Sequence, residues 1–415
     1  MTRSAMTRSP MTRSAAALPL VALLAACGAP IGDDGGSDTD TAADGCVEDF
    51  EPGTDHFPDK AEPGHAENIS FEYGDHYVVV TVDQPAPGAD PESYLLHRCG
   101  TPEPNADDLQ GTELAGVDLD RVPAIEVPAQ SVFSGSTTHL PLFTELDRGE
   151  TVTGVSDASF VSTEEIADQV EDGDTLEYAG GGAIDQELVI AEDPDLLMTG
   201  GTEDPDHESL REAGVPVVAN AEWLEATPLG RAEWLLLAGV LTGQEAQAEE
   251  LFAQIEADYE EVAEVAEGAD PVEVLPGQFG DGSWFVPAGG SYVGRLLADA
   301  GATHPWDDSE GTESVELDLE EVLAEARGAE VWIASADWDT LADAEADDER
   351  HAEFDAFDDG RVWTNNKATG PTGGNQYWDE GVLRPDLVLG DLVHVVHPDL
   401  LPDHETRYYR QLDEA

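Results

Sequence analysis

One amphipathic stretch in the middle of the chain has the clearest hydrophobic periodicity. Between Gln244 and Glu267, apolar residues recur at the period of an α-helix, and glutamates occupy the other side. The apolar stripe consists of Leu251, Ile255, Tyr259, Val262 and Ala266. Gly268 and Pro271 follow as stop signals. At roughly 1.5 Å per residue, the pattern predicts a helix of about 36 Å.

Alternating apolar runs, polar or glycine-rich loops and amphipathic segments lie on both sides of this helix. Val152–Val155 and Leu196–Met198 are strand-like runs before it, and Val272–Leu275 and Val331–Ile333 are strand-like runs after it. Such alternation is typical of parallel sheets covered by helices. The sequence therefore predicts an α/β fold with two Rossmann-like lobes, each built on a central parallel sheet, joined by one long rigid helix.

A different pattern precedes the first lobe. Ile69–Tyr73 and His76–Val82 alternate around Gly74-Asp75, which predicts a β-hairpin, and Ser93–Cys99 is a third strand-like run. From Ala124 onward the βα pattern begins. The predicted organisation is an N-terminal lobe at 46–242 that includes this hairpin extension, a linking helix at 243–267, and a C-terminal lobe at 268–415.

The charge balance changes which partners are possible. The 415 residues include 17 Lys+Arg against 91 Asp+Glu, a net charge of −74. Such a surface repels nucleic acid and anionic lipid head groups, so both are excluded as partners. The acidic residues form either a hydrated, salt-adapted surface or specific cation sites. Because no EF-hand spacing occurs, the first interpretation is favoured.

Residues 1–27 have the pattern of a lipoprotein export signal. Arg3, Arg8 and Arg13 precede a short apolar run at Ala15–Ala25, which is too short to span a bilayer. Leu24-Ala25-Ala26-Cys27 resembles a lipobox, so we expect lipidation of Cys27 and a location on the extracytoplasmic face of the cell membrane, with the lipid anchor as the only membrane contact. Residues 28–45 are rich in Gly and Asp and predict a disordered tether.

Two further cysteines, Cys46 and Cys99, follow the tether. In an exported chain they predict a disulfide, and with no third ligand at a suitable spacing they do not predict a metal site. His394 and His397 lie three residues apart in a predicted helix, with His404 nearby. These histidines are compatible with metal binding, but a capping or packing role is favoured, and neither a metal nor a cofactor is predicted.

Candidate ligand-binding residues follow the predicted strands, because parallel sheets bind ligands at the carboxyl ends of their strands. They are Thr138, Asp157, Ser159, Gly181 and Gly201 in the first lobe, and Trp284, Tyr292, Trp338, Asn366, Lys367 and Tyr377 in the second. An aromatic cleft suits a bulky, partly apolar ligand. Lys367 either neutralises an anionic group of the ligand or is a surface cation. Nucleotide-binding and catalytic motifs do not occur, so no catalytic residues are predicted.

Four segments carry a resemblance to a known family. They are TTHLPLFTELDRGETVTGVSDASFV, GVPVVANAEWLEATPLGRAEWLLLAGVLTG, WFVPAGGSYVGRLLADAGATHPW and GRVWTNNKATGPTGGNQYWDEGVLRPDLVLGDLVHVVHPDL. They resemble class III substrate-binding proteins of ABC importers, over about Ala124 to Tyr409. That family has two α/β lobes joined by a rigid helix and takes up iron–siderophore, haem and cobalamin-type cargo.

The resemblance implies a monomeric binding protein that delivers a chelated metal, an iron–siderophore first and cobalamin second, to an ABC permease and its ATPase. Family members dock to the permease through an acidic residue on each lobe. Glu203, Asp206 and Glu208 are candidates on the first lobe, but Thr303 stands where many members carry Glu on the second. The docking contacts therefore stay unassigned.

Two other functions remain open at this point. A protein of this kind can present its ligand to a receptor that does not transport it. Alternatively, an exported enzyme can use a two-lobed α/β scaffold, although the sequence shows no convergent nucleophile and base.

Overall fold

The structure is a computed structural model that describes residues 45–280, 282–312 and 314–414. The predicted export signal at 1–27, the lipidation site Cys27 and the tether up to residue 44 lie outside the described residues. Within the described part, no helix combines the length and the apolar character needed to cross a bilayer.

The N-terminal section forms a four-stranded sheet in the order β1-β2-β3-β4. Its strands are β1 (Ile69–Tyr73), β2 (Tyr77–Val82), β3 (Glu92–Arg98) and β4 (Ala124–Val127). β1 and β2 pair antiparallel, as the predicted hairpin requires. β4 pairs in parallel with β3, so residues 124–127 extend this sheet instead of opening the N-terminal lobe as the sequence pattern predicts.

The predicted disulfide between Cys46 and Cys99 is confirmed, with an S–S distance of 2.13 Å. It joins the start of the described chain to the residue after β3. The backbone N–H of Val47 also donates to the Cys99 carbonyl at 2.9 Å. The first described residues are thus fixed to the sheet.

The N-terminal lobe is built on a five-stranded, all-parallel sheet in the order β7-β6-β5-β8-β9. Its strands are β5 (Val132–Ser134), β6 (Val152–Val155), β7 (Leu176–Glu177), β8 (Leu196–Thr199) and β9 (Val217–Ala219). Its helices are α1 (Leu140–Thr144), α2 (Glu164–Asp172), α3 (Gln186–Glu192) and α4 (Pro205–Glu212). β5, β8 and β9 are completely buried, as expected for strands covered on both faces.

Three helices lead from the first lobe to the second. They are α5 (Pro228–Ala232), α6 (Leu235–Thr242) and α7 (Glu245–Ala266). All eight residues of α6 are buried. The 22 residues of α7 correspond to about 33 Å and lie where the amphipathic pattern predicts a helix. Ile255, Tyr259 and Ala266 of the predicted stripe are buried, and Phe252 joins them.

The C-terminal lobe contains a second five-stranded sheet, in the order β13-β10-β15-β16-β17, and a small antiparallel sheet, in the order β11-β12-β14. The strands are β10 (Val272–Pro276), β11 (Gln278–Gly280), β12 (Ser283–Pro287), β13 (Ala302–Thr303), β14 (Ser314–Leu317), β15 (Val331–Ala334), β16 (Val362–Thr364) and β17 (Arg410–Gln411). The helices are α8 (Tyr292–Asp299), α9 (Leu319–Ala326), α10 (Leu341–Asp347), α11 (Asp355–Asp358), α12 (Glu380–Leu383) and α13 (Pro385–Val396). Only β17 runs antiparallel in the larger sheet. The predicted two-lobed α/β fold is thus confirmed.

The C-terminal tail is folded over α13 and includes β17. The buried Asp391 carboxylate accepts hydrogen bonds from the backbone N–H groups of Arg407 (2.8 Å), Tyr408 (2.6 Å) and Tyr409 (3.1 Å). A carboxylate that binds three consecutive N–H groups removes them from any helical hydrogen-bond pattern.

The segment 64–68, which we call the strap, ties the N-terminal sheet to the helices that lead between the lobes. The buried Glu233 carboxylate accepts hydrogen bonds from the N–H groups of Gly64 (2.8 Å), His65 (2.7 Å) and Ala66 (2.6 Å). His65 also contacts Glu256 of α7, with Nε2 and Oε1 2.6 Å apart. The N-terminal section is therefore attached to the linking helix itself.

We expect Glu233→Ala to lower the free energy of unfolding by about 3 kcal/mol or more, because three N–H groups lose their acceptor together. Urea unfolding measures this difference, with the exposed Glu250→Ala on α7 as the matched control. A Glu233→Ala protein within about 0.5 kcal/mol of the control would contradict the role given to the strap.

Candidate functional site

A polar cavity of about 580 Å³, which we call the C-lobe cavity, opens at the carboxyl ends of β15 and β16. It is lined by Gln278, Ser335, Ala336, Asp337, Trp338, Asp343, Ala346, Asp347, Asn365, Asn375 and Trp378. Its volume falls within the range of about 300–1,000 Å³ that is usual for small-molecule sites. Its position is the one at which parallel sheets bind ligands.

Side-chain amides hold the polar wall of this cavity in place. Asn365 is only 2% exposed, and its Nδ2 donates to Ser335 Oγ at 3.1 Å. Asn375 Nδ2 donates to the Asn365 carbonyl at 3.0 Å. These bonds connect the loops after β15 and β16, so the wall is organised before any ligand arrives. Sequence reasoning missed both asparagines, although they follow a predicted strand.

An exposed aromatic ring lies on each lobe. Trp378 is 47% exposed and lines the C-lobe cavity, and Phe160 is 64% exposed in the loop after β6. These two rings offer apolar surface on both sides of the place where the lobes meet. Sequence reasoning selected Tyr377, the neighbour of Trp378, and passed over Phe160. Phe160 lies in the loop that follows the predicted strand Val152–Val155, and this position could have indicated a ligand-binding role.

The two lobes touch beside these aromatic rings, at a surface that we call the interlobe contact (160–162 with 370–379). Thr372 Oγ1 donates to the Val161 carbonyl at 2.5 Å. A Cβ added to Gly370 would lie 2.2 Å from the Ser162 carbonyl oxygen, and one added to Gly374 would lie 2.3 Å from the Phe160 carbonyl oxygen. Glycine is therefore required at both positions for the lobes to meet.

A buried carboxyl group spans the interlobe contact. Ser162 Oγ donates to Asp379 Oδ2, and the other oxygen of Asp379 accepts from the Glu380 N–H at 2.6 Å. Asp379 is 1% exposed, and this burial raises the pKa of its carboxyl group to about 6. Its charge therefore changes close to neutral pH.

Tyr292 and Tyr377 do not line the C-lobe cavity, which corrects the prediction that both contact the ligand. The Arg231 guanidinium lies 4.1 Å from the centre of the Tyr292 ring, and its Nη2 donates to Glu222 Oε1 at 3.0 Å. Tyr377 is 5% exposed and packs against aromatic rings of the tail. The space left beside the two tyrosines has a volume of about 10 Å³, which is too small for a ligand. Both rings pack between the lobes because helices meet there.

The prediction that Trp284 lines a cleft is wrong. Its side chain is completely buried, its Nε1 donates to the Pro276 carbonyl at 3.0 Å, and its ring packs on Trp332 and Phe354. Trp284 lies in the glycine-rich segment 277–291, which reads as an open loop in the sequence. In the structure this segment forms the strands β11 and β12. The alternation of β12 then directs Trp284 into the core of the lobe.

The other predicted residues of the second lobe divide into one that lines the cavity and two that do not. Trp338 is among the lining residues. Asn366 supports it, since its Nδ2 donates to the Trp338 carbonyl at 3.2 Å. Lys367 Nζ donates to Thr406, both to its carbonyl and, at 2.8 Å, to its Oγ1. Lys367 is thus a surface cation that holds the tail.

The predicted residues of the first lobe lie along the carboxyl edge of its sheet, but they do not line the C-lobe cavity. Asp157 Oδ1 accepts from Ser159 N (2.9 Å) and Oγ (2.6 Å), and Thr138 bonds to a neighbouring hydroxyl at 2.9 Å. Gly181 is exposed, with a φ of 87°. Gly201 is accounted for by packing, because an added Cβ would lie 2.8 Å from Ala221 and from Trp223.

A larger cavity of about 1040 Å³ lies between the N-terminal sheet and α4. Two of its charged lining residues satisfy each other, since Arg211 Nη2 donates to Glu92 Oε2 at 2.8 Å. The Tyr94 hydroxyl donates to the same oxygen at 2.7 Å. This cavity lies at the starts of β3, β4 and β9, whereas the C-lobe cavity lies at the carboxyl ends of parallel strands, so we consider the smaller cavity the better candidate site.

The histidines near the C-terminus hold the tail. His394 Nδ1 lies 2.9 Å from the Leu401 carbonyl, and His404 Nε2 lies 2.7 Å from Asp391 Oδ1. Over the described residues, no three His, Cys, Asp or Glu side chains gather as metal ligands do. These contacts support the packing role expected from the sequence.

Comparison with known families decides the assignment. Residues 132–368, more than half of the chain, match the model of a family described as periplasmic binding protein. The chain belongs to this periplasmic binding protein family. The match confirms the resemblance seen in the sequence, and it confirms that the chain is a binding protein and not an enzyme.

Relatives of this periplasmic binding protein include two uncharacterized lipoproteins of Methanocaldococcus jannaschii. One is 24% identical over 299 residues, which is 70% of each chain. The other is 25% identical over 249 residues, which is 55% of this chain and 59% of the relative.

Solved structures share the fold. A possible iron-binding periplasmic solute-binding protein from Staphylococcus epidermidis superposes with a TM-score of 0.51 at 17% identity, over 65% of this chain and 99% of that one. A periplasmic heme-binding protein from Roseiflexus gives 0.50 at 20% identity, over 66% and 99%. The N-terminal section up to residue 131 precedes the family match.

The raised pKa of Asp379 gives a pH-dependent prediction. Because the pKa rises from 3.8 to about 6 on folding, the neutral carboxyl group is favoured in the folded state. Its contribution to stability is complete below about pH 4 and is lost as the pH rises through about 6. At about 1.4 kcal/mol per pKa unit, the loss is on the order of 3 kcal/mol.

Asp379→Asn removes this charge and keeps an acceptor for the Glu380 N–H, while its Nδ2 can donate to the Ser162 hydroxyl, which reverses the direction of that hydrogen bond. We expect it to raise the free energy of unfolding by up to about 3 kcal/mol near pH 8 and by little near pH 4. Urea unfolding at both pH values measures the difference, with the exposed Asp359→Asn as control. A difference that does not change with pH would refute the assignment.

Proposed function

We propose that this protein is a lipid-anchored, extracytoplasmic solute-binding protein that captures a chelated metal and delivers it to an ABC permease with its ATPase. An iron–siderophore is the first candidate cargo and cobalamin the second. The observation that carries the proposal is the C-lobe cavity, which adjoins the interlobe contact and has an exposed aromatic ring on either side of that contact.

The size and lining of the cavity support a bulky cargo. Trp378 offers exposed aromatic surface, the largely buried Trp338 contributes an edge of the wall, and asparagine and serine side chains offer hydrogen bonds. Aromatic surface combined with a few placed polar groups suits the amide-rich body of a siderophore or the corrin side chains of cobalamin. The lining residues include no histidine, tyrosine, cysteine or methionine, the usual axial ligands of haem iron.

The names of the relatives support the anchor. Both M. jannaschii relatives are described as lipoproteins. Together with the lipobox-like segment that ends at Cys27, this supports lipidation of Cys27 and a place on the outer face of the cell membrane. A monomer suffices for capture, because both lobes of the cleft come from one chain.

The proposal predicts that both exposed rings contact cargo. We expect Trp378→Ala and Phe160→Ala each to weaken cargo binding about tenfold, since a well-buried aromatic contact contributes about 1–2 kcal/mol. Isothermal titration calorimetry with a ferric siderophore or cobalamin measures the Kd values.

Phe285→Ala is the matched control, because Phe285 is also an exposed ring (41%) but lies on β12, outside both the C-lobe cavity and the interlobe contact. Unchanged affinity in both Trp378→Ala and Phe160→Ala would contradict a cargo site at this position.

A further inference from the structure

The C-lobe cavity carries charge of only one sign. Three of its lining residues are carboxylates, Asp337, Asp343 and Asp347, and all three are exposed. The other lining residues with polar side-chain groups are three neutral amides, a serine and two tryptophans. No lysine, arginine or histidine is among the residues that line it. A cargo therefore meets negative charge that nothing in the wall neutralises.

One of these carboxylates is held in its ionised form. Asp343 Oδ2 accepts hydrogen bonds from Thr340 Oγ1 at 2.8 Å and from Thr340 N at 2.9 Å, at the start of α10. These hydrogen bonds lower the pKa of the Asp343 carboxyl group, and the bond from the Thr340 hydroxyl has the larger effect. The ionised form of Asp343 is thus favoured by its own helix start.

The cations in neighbouring segments are committed to other groups. Arg410 lies 2.6 Å from Asp339, and Arg350 lies 2.5 Å from Asp348. Lys367, the cation that the sequence pattern offered as a partner for an anionic cargo, is bound to Thr406. None of these three side chains lines the cavity.

The first lobe adds negative charge beside the interlobe contact. Asp157 lies in the loop that leads to Phe160, and Glu177 Oε2 accepts from the Ala158 N–H of the same loop at 2.9 Å. The edge of each lobe that adjoins the interlobe contact therefore carries carboxylates. The net charge of −74 on the whole chain adds a long-range field of the same sign.

We propose that this cleft selects metal chelates that are neutral or positively charged and discriminates against anionic ones. The inference rests on the proposed function. Three hydroxamates balance Fe³⁺, so a ferric trihydroxamate is neutral, or cationic if it bears a free amine. A ferric tris-catecholate keeps three negative charges, and haem carries two propionates. Coulomb repulsion from the carboxylates of the cleft opposes these anions.

A charge series built on one chelate tests this directly. The linear ferric trihydroxamate with a free terminal amine carries one positive charge; its N-acetyl derivative is neutral and its N-succinyl derivative carries one negative charge. We expect the Kd from calorimetry to rise about threefold to tenfold with each step toward negative charge. The steps should shrink at higher salt, which screens exposed charges. Circular dichroism verifies that the protein is folded at each salt concentration.

Asp337→Asn and Asp347→Asn identify the source of the effect. We expect each variant to reduce the Kd ratio between the anionic and the cationic chelate by about threefold. Glu325→Gln, which removes an exposed charge from α9 of the same lobe, should leave the ratio unchanged. Asparagine matches aspartate in size, so folding of the exposed sites is preserved.

Three results would overturn the inference. The first is equal binding of the three chelates, and the second is tightest binding of the anionic chelate. The third is a preference for the cationic chelate that Asp337→Asn and Asp347→Asn both retain in full. In each case the proposed function would stand, because a chelate has bound. If none of the three binds and cobalamin does not bind either, the chelated-metal function fails, and the inference fails with it.

Discussion

The structure depends on a buried joint of helices between the two lobes. α6 is buried on every residue, α13 on ten of its twelve, and α7 packs against both. The Arg231 guanidinium lies within this joint, between Glu222 and the Tyr292 ring. Opening the joint would expose apolar surface and strip a buried cation of its partners, which is costly. The lobes are therefore held close to one arrangement, and the cleft beside them is present before a ligand arrives.

The elements of the fold that repeat a local pattern were predictable from the sequence. α7 and α13 have clear apolar periodicity, and the buried parallel strands read as short apolar runs before polar loops. Trp284 was misplaced because a glycine-rich segment reads as a loop, whereas its alternation forms the strands of a small sheet. Side-chain direction determines which of the neighbours Tyr377 and Trp378 reaches the cavity. Tyr377 points into the joint and Trp378 lines the cavity. A sequence pattern does not distinguish the two directions, because the local helix is only three residues long.

Contacts between distant segments were beyond sequence reasoning. Ser162 and Asp379 are 217 positions apart, and Gly64 of the strap is 169 positions from Glu233, which holds it. No periodicity or motif connects such residues, because they meet only after both lobes have folded. The role of Lys367 also depends on a distant segment. Lysine is scarce in this chain, which suggested a ligand-binding role, but Lys367 Nζ donates to Thr406 and holds the tail. In a chain with few cations, most of the basic side chains in the described part serve structural ion pairs, and this leaves the cleft acidic.

We expect the lobes to keep one arrangement and to bind cargo with small adjustments. Spin labels on Glu187→Cys of α3 and Glu345→Cys of α10, both exposed, report the distance between the lobes by pulsed electron paramagnetic resonance. We expect one narrow distance distribution without cargo, which moves by only a few ångströms when a ferric trihydroxamate is added. A broad or two-peaked distribution in the free protein that collapses to a much shorter distance on binding would contradict the account.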